Sequence, residues 1–388
     1  MKQGSDFQLI YTQPIETSLL QTQVLEPVAF FCELFESAKY QIDIAQFYLN
    51  CQPQSQFGQV IDALVRASQR GVTIRILLAK QGLALSTRHT LAQLAGLRSV
   101  QIQYIDYQSI SGGIMHAKYV IVDGQKATLG SHNFDWRAMC HIHELSLLIC
   151  HKRIVAQLQT IFDFDWHAQH LQAQNIPILA LNYHRISPGN FSRATLLASP
   201  NAYNPPTIGD SQLALVQLLD RAQTHIRIMV MKYLPLAQPS LTHRVFYPTI
   251  DDALRRAALR GVKVELLVSN WYRGESELQY VKSLAILSNI TIKIITIPQP
   301  SQSFIAYARV LHSKAMSIDA KLAWIGTSNW EGGYLDFSRN VELVVPFPSL
   351  AEQIETIHQQ LWHSDYAAPI DLNHRYLSVD PGADSCSI

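Results

Sequence analysis

The chain has 388 residues, 48% of them hydrophobic, and a formal net charge of +1. This is ample apolar content for a large core, and it excludes a disordered polypeptide. The near-zero charge also excludes bulk attraction to polyanions, so any affinity for phosphate must come from local groups. Five cysteines, Cys32, Cys51, Cys140, Cys150 and Cys386, form no CxxC pair and no zinc spacing. That pattern suits a reducing compartment, with a Cys140–Cys150 disulfide left open. No signal-peptide core and no run of ~18 apolar residues is visible, so no spanning segment is expected. The expected location is cytoplasmic, or exported without a signal. The oligomeric state stays open, with a homodimer among the alternatives.

In chain order, Gln41–Leu49 reads as a strand. Asp62–Arg70 reads as an amphipathic helix stopped by Gly71, and Val72–Leu78 as a buried strand. Further strands are expected at Ser99–Ile105, Lys118–Asp123 and Glu144–Ile149, and a helix ending at Phe162–Trp166. The series then repeats. His225–Leu234, Asp252–Arg260 with Gly261, Val262–Val268, Ile290–Thr296, Lys314–Asp319, Glu342–Val345 and Ile354–Trp362 match it one for one. The turn-rich stretch from Ser187 to Pro206 reads as the linker. The expected fold class is α/β, with two pseudo-two-fold-related halves, residues 1–186 and 187–388, sharing one active site.

The sharpest signal is a motif that occurs once in each half. It reads His116-x-Lys118, Asp123, Gly130-Ser131-His132-Asn133, then His312-x-Lys314, Asp319, Gly326-Thr327-Ser328-Asn329, with equal internal spacing. On a strand, residues two apart share a face, so each His would lie beside its Lys. Lys118, Lys314, Asn133, Asn329, Ser131 and Thr327 would surround the oxygens of a phosphate diester with donors. One histidine could attack phosphorus while the other protonates the leaving oxygen. A carboxylate on the far ring nitrogen would orient each imidazole, and Glu144 and Glu342, each following its Asn, suit that task. Asp123 and Asp319 end the motif strands, roughly 16 Å away along the chain, and read as structural. No metal and no cofactor is called for. His132, His141 and His143 cluster near Glu144, but they read as satisfied polar residues rather than metal ligands.

These residues resemble the phospholipase D superfamily over nearly the whole chain. The resemblance implies phospholipase D-like α-β-α sandwich halves, metal-independent phosphodiester chemistry and a covalent phosphohistidine, with His116 as nucleophile and His312 as acid and base. Asp43–Tyr48, Gly130–Arg137, Tyr233–Pro235, His243–Arg256, Tyr307–Val310 and Gly326–Trp330 look more narrowly like the phospholipase D3/D4 branch and its poxviral relatives. That branch implies a 5′→3′ exonuclease on single-stranded DNA or RNA with a free 5′ end. The alternative is a phospholipase D or phosphatidyltransferase acting on phospholipid headgroups. A binding protein that kept only the fold is disfavoured by the intact motifs. Phe134, Trp330, Tyr334 and Arg309 are the candidate substrate contacts, by stacking or by a second phosphate contact. Trp136 is expected in the core, and Arg137 and Arg244 are further phosphate candidates.

Overall fold

The structure is a computed structural model that describes residues 6–21, 23–240 and 243–383, without the side chains of 238–240 and 243. Cys386 and the side chain of His243 therefore lie outside the described residues.

Two sheets with the same strand order dominate. The first runs 7–12, 144–149, 126–130, 119–122, 41–46, 73–79, 100–105. The second runs 195–199, 340–345, 322–326, 315–318, 225–230, 263–269, 290–295, with short extra strands at both edges. In each, three parallel strands join an antiparallel set at the motif strand. The motif strands, Tyr119–Val122 and Ala315–Ile318, are buried along their whole length.

Sequence periodicity explains the outer layers. Helix Phe57–Gln69 buries Phe57, Val60, Ile61, Leu64 and Ala67, and helix Thr249–Leu259 buries Ile250, Ala253, Leu254 and Ala257. That spacing makes one apolar stripe. Gly71 at φ +90° and Gly261 at φ +87° take the left-handed conformation after each helix, which a side chain would disfavour. Each stripe packs on the outer face of its own sheet, in a separate core.

A third core lies between the sheets. It joins Phe162 and Trp166 of helix Lys152–Ala173 to Ile354, Leu361 and Trp362 of helix Pro348–Trp362, with strand residues from both halves. The halves are therefore welded by apolar burial, the dominant favourable term in folding. Arg339, fully buried, adds a polar clamp. It donates to Asp165 Oδ1 in the first half (3.0 Å) and to the carbonyls of Ser199 and Tyr203 (3.1 and 2.9 Å).

Two expectations need correction. The stretch Ser187–Pro206 is not all linker, because Thr195–Ser199 pairs antiparallel with Asn340–Val345. Its apolar run (Leu196, Leu197, Ala198) completes the sheet. His116 and Lys118 also lie just ahead of the motif strand rather than within it. Cys32, Cys51, Cys140 and Cys150 are free thiols, so the Cys140–Cys150 bridge is absent. Among the described residues no helix is long and apolar enough to cross a membrane.

Candidate active site

Each motif histidine sits in an extended stretch held by the other half. Met115 bridges Arg339, and the His116 N–H donates to the Arg339 carbonyl at 2.8 Å. His143 bridges Leu311, and the His312 N–H donates to the His143 carbonyl at 3.0 Å. The two motifs thus meet across the pseudo-two-fold axis at the seam.

The ring contacts cross the same seam. His116 Nδ1 lies 3.0 Å from the Thr327 carbonyl oxygen. A carbonyl only accepts, so this bond places the proton on Nδ1 and leaves Nε2 with a lone pair. His312 Nδ1 lies 2.9 Å from both oxygens of Glu144. The Ser131 carbonyl also favours the charged form of His312, as the Thr327 carbonyl does for His116. His312 is therefore held by a carboxylate where His116 is held by a carbonyl.

Glu342 does not play the part expected of it. Gly130 pairs with Ser146, whereas Gly326 pairs with Glu342. Glu342 is therefore the counterpart of Ser146, and the counterpart of Glu144 is Asn340. The flanking strands agree, with Thr12 opposite Glu144 and Ser199 opposite Asn340. A two-residue slip keeps every side chain on its own face, so alternation could not reveal it. Spacing could have, because Glu144 and Asn340 each lie eleven residues after their Asn. Glu342 is instead fully buried beside Ser211 and Ser328, and burial pushes its carboxyl up to about 7.

The lysines are buried as well. Lys118 Nζ donates to the His116 carbonyl at 2.7 Å and Lys314 Nζ to the His312 carbonyl at 2.5 Å. Burial, then the other lysine, holds Lys118 well below its ordinary value; burial lowers Lys314 to about 7. Burial disfavours both ammonium forms, and the charge of Lys314 adds to this at Lys118, so a bound anion relieves the cost of charging them. Burial and the same two cations hold both imidazoles well below their usual range. Burial pushes Glu144 up to about 7. Asn133 and Asn329 are nearly buried, and Asn329 Nδ2 donates to Glu331 Oε1 at 3.2 Å.

The remaining sequence candidates are scattered. The Ser131 and Thr327 hydroxyls are spent on the adjoining strand: Ser131 Oγ donates to the Leu145 carbonyl (3.1 Å), and Thr327 Oγ1 donates to Asn340 Oδ1 (3.0 Å). Phe134 is not a substrate contact; it is packed in the first-half core against Phe31, Phe35 and Phe57. Trp330 is buried edge-on against Trp324 in the second-half core. Arg309 is buried and donates to the carbonyls of Pro298 and Ile15 (2.5 and 2.7 Å). Arg137 and Arg244 are paired with Asp135 and Glu277. Only Tyr334 reaches the centre, its ring 5.6 Å from that of His116. Phe47, in the Asp43–Tyr48 segment but not chosen as a substrate contact from the sequence, flanks the same imidazole at 5.4 Å. Asp123 and Asp319 lie at the far sheet end. Asp123 accepts the backbone N–H groups of Lys39, Tyr40 and Gln41, and Asp319 those of Gln223, Thr224 and His225. His132 is bonded to Ser146 and Thr12, and His143 to Ser313.

A family model described as "Cardiolipin synthase, PLD-like domain" matches residues 31–166 and 215–362. The chain belongs to the phospholipase D-like family. The "5'-3' exonuclease PLD3" of Macaca fascicularis is 32% identical, over 92% of this chain and 77% of the relative. The "Virion nicking-joining enzyme" of vaccinia virus (strain Western Reserve) is 31% identical, over 86% and 82%. A solved phosphatidylserine synthase from Haemophilus influenzae Rd KW20 shares the fold at a TM-score of 0.59, with 11% identity over 88% of this chain and 85% of that one. This phospholipase D-like protein is a phosphodiesterase, and its two motifs form the halves of one site.

Proposed function

We propose that the protein cleaves phosphodiesters without a metal, through a phosphohistidine on His116, and that its substrate is the 5′ end of single-stranded DNA or RNA. The observation that carries the chemistry is the unequal pair of Nδ1 contacts across the seam. The carbonyl-bound His116 offers a neutral Nε2 to phosphorus. The Glu144-bound His312 is the better holder of a proton, because the carboxylate stabilises its imidazolium.

In the first step the Nε2 lone pair of His116 forms the P–N bond as the P–O bond to the leaving group breaks. That oxygen takes the proton from His312 Nε2. In the second step His312 Nε2 takes a proton from water, whose oxygen forms a new P–O bond. The P–N bond then breaks and returns its electron pair to His116. Lys118, Lys314, Asn133 and Asn329 hold the non-bridging oxygens through both steps.

The nucleic-acid substrate is supported by the likeness to an exonuclease and a nicking-joining enzyme over most of the chain. Phe47 and Tyr334, on two sides of His116, suit a terminal base or sugar. A lipid headgroup is the second reading. It is favoured by exposed Leu83 and Leu85, in the segment where Gly82 packs against the Phe47 backbone.

The test compares a 5′-labelled single-stranded oligonucleotide with phosphatidylcholine or phosphatidylglycerol vesicles between pH 5 and 8, with and without EDTA. Mononucleotides released from the 5′ end, no headgroup release and no effect of EDTA are the expected results. Headgroup release alone would overturn the substrate. Complete loss in EDTA would overturn the chemistry.

A further inference from the structure

We infer that Asn340 is a positioning residue for His116, the neutral counterpart of Glu144, and that an amide in place of a carboxylate at this register position makes the two histidines chemically unequal. The inference rests on the mechanism proposed above and says which residue creates its asymmetry.

The register puts Asn340 where Glu144 stands in the other half. Both follow the bridge residue that pins the opposite histidine strand, Arg339 in one half and His143 in the other. Both lie next to the hydroxyl residue of the Gly-Ser/Thr turn. Ser131 Oγ accepts from the Leu145 N–H at 2.9 Å and Thr327 Oγ1 from the Val341 N–H at 3.2 Å, and Thr327 Oγ1 also donates to Asn340 Oδ1 at 3.0 Å. The connections to the rings then diverge. Glu144 reaches His312 Nδ1 directly. Asn340 acts at one remove: it holds Thr327, whose carbonyl accepts from His116 Nδ1. Asn340 is itself held, fully buried, with Nδ2 directed at the Ser338 carbonyl (3.3 Å) and Ser199 Oγ (3.4 Å).

Charge is what the amide withholds. The groups facing His116 are Lys118 and Lys314, His312 across the axis, and the uncharged rings of Phe47 and Tyr334. Among the described residues no carboxylate is hydrogen-bonded to its ring, whose Nδ1 is taken by the Thr327 carbonyl. The ring is therefore steered to one tautomer and kept neutral, as a nucleophile requires. A carboxylate at 340 would stabilise both the imidazolium and the phosphohistidine, which would slow attack and slow release.

The experiment follows the histidine ring nitrogens by NMR in the full chain and in Asn340→Asp, with His116→Ala used to assign the signals. It also times the formation and decay of the phosphoenzyme on bis(p-nitrophenyl) phosphate. In Asn340→Asp the titration of His116 should move up by about one pH unit, His312 should stay put, and phosphoenzyme should both form and decay more slowly. An unmoved His116, or a shift confined to His312, overturns the inference. Thr327→Val, which removes the hydroxyl donor and keeps the shape, covers a failure of Asn340→Asp to fold. There the Nδ1–H tautomer of His116 should lose population and kcat should fall with KM held; an unchanged tautomer overturns the inference. The ring titration needs no substrate. A protein that ignores nucleic acid yet shows these shifts would sink the substrate proposal and leave this inference standing.

Discussion

The segments that follow Asn133 and Asn329 occupy matching places and are wired differently. In the first half, Asp135 is fully buried and closed off. It accepts from Tyr48 Oη at 2.7 Å and is gripped by the Arg137 guanidinium, which also reaches the Ala306 carbonyl across the seam. In the second half, Glu331 takes the place of Asp135 and Lys232 that of Tyr48. Lys232 donates to Glu277 at 2.8 Å, and Glu277 pairs with the partly exposed Arg244 at 3.1 Å. Burial pushes Glu331 up, against the pull of Lys232. One wall of the site is internally neutralised. The other passes the polar network of the site outward to solvent. Duplication preserved the backbone and let the side chains of the two walls specialise.

The largest effects should come from the centre. His116→Ala and His312→Ala should each lower kcat by roughly 10³-fold or more on an oligonucleotide. A p-nitrophenyl diester, whose leaving group needs no proton, should restore His312→Ala far more than His116→Ala; equal rescue would refute the division of roles. Glu144→Gln should cost roughly 10²-fold in kcat, because His312 loses its carboxylate. Glu342→Gln should change kcat less than about threefold.

Glu342 should matter to stability instead. Its carboxyl is pushed up to about 7, from an ordinary 4.5. Between those values the folded chain binds the extra proton, so stability falls as pH rises through the window and stays reduced above it. Glu342→Gln should flatten that fall and gain up to about 3 kcal/mol at pH 8 by denaturant melts. For turnover the expected dependence is a decline above about pH 7, as the Glu144–His312 pair loses its second proton. A rate that climbs through pH 8 would contradict this pairing.

Smaller effects belong to the walls and the far ends. Lys232→Met should raise KM about fivefold with kcat held, whereas Tyr48→Phe should leave both near the parent values. Asp123→Ala and Asp319→Ala should each cost about 1–3 kcal/mol of stability, since three backbone N–H groups lose their acceptor. Their kcat should not change. A loss of kcat in a fully folded Asp variant would return these residues to the catalytic set.

The repeated motif, the strand and helix order and the helix-stopping glycines were legible in the sequence, because each is a local pattern with its own periodicity. His116, Lys118, Asn133, His312, Lys314 and Asn329 could be chosen from spacing alone. Burial was harder to read: Phe134 and Trp330 look like stacking residues in a list of motif neighbours, yet both face a core. Arg309 looks like a phosphate ligand, yet it ties two loops together. Register was harder still. A strand slipped by two residues presents the same alternation, so only the pairing of Gly326 with Glu342 shows that Asn340, not Glu342, stands opposite Glu144. The sequence by itself determined the reaction class, since that depends on which groups are present and repeated. The tertiary structure alone decided how the two histidines differ, since that depends on contacts made across the seam between residues far apart in the chain.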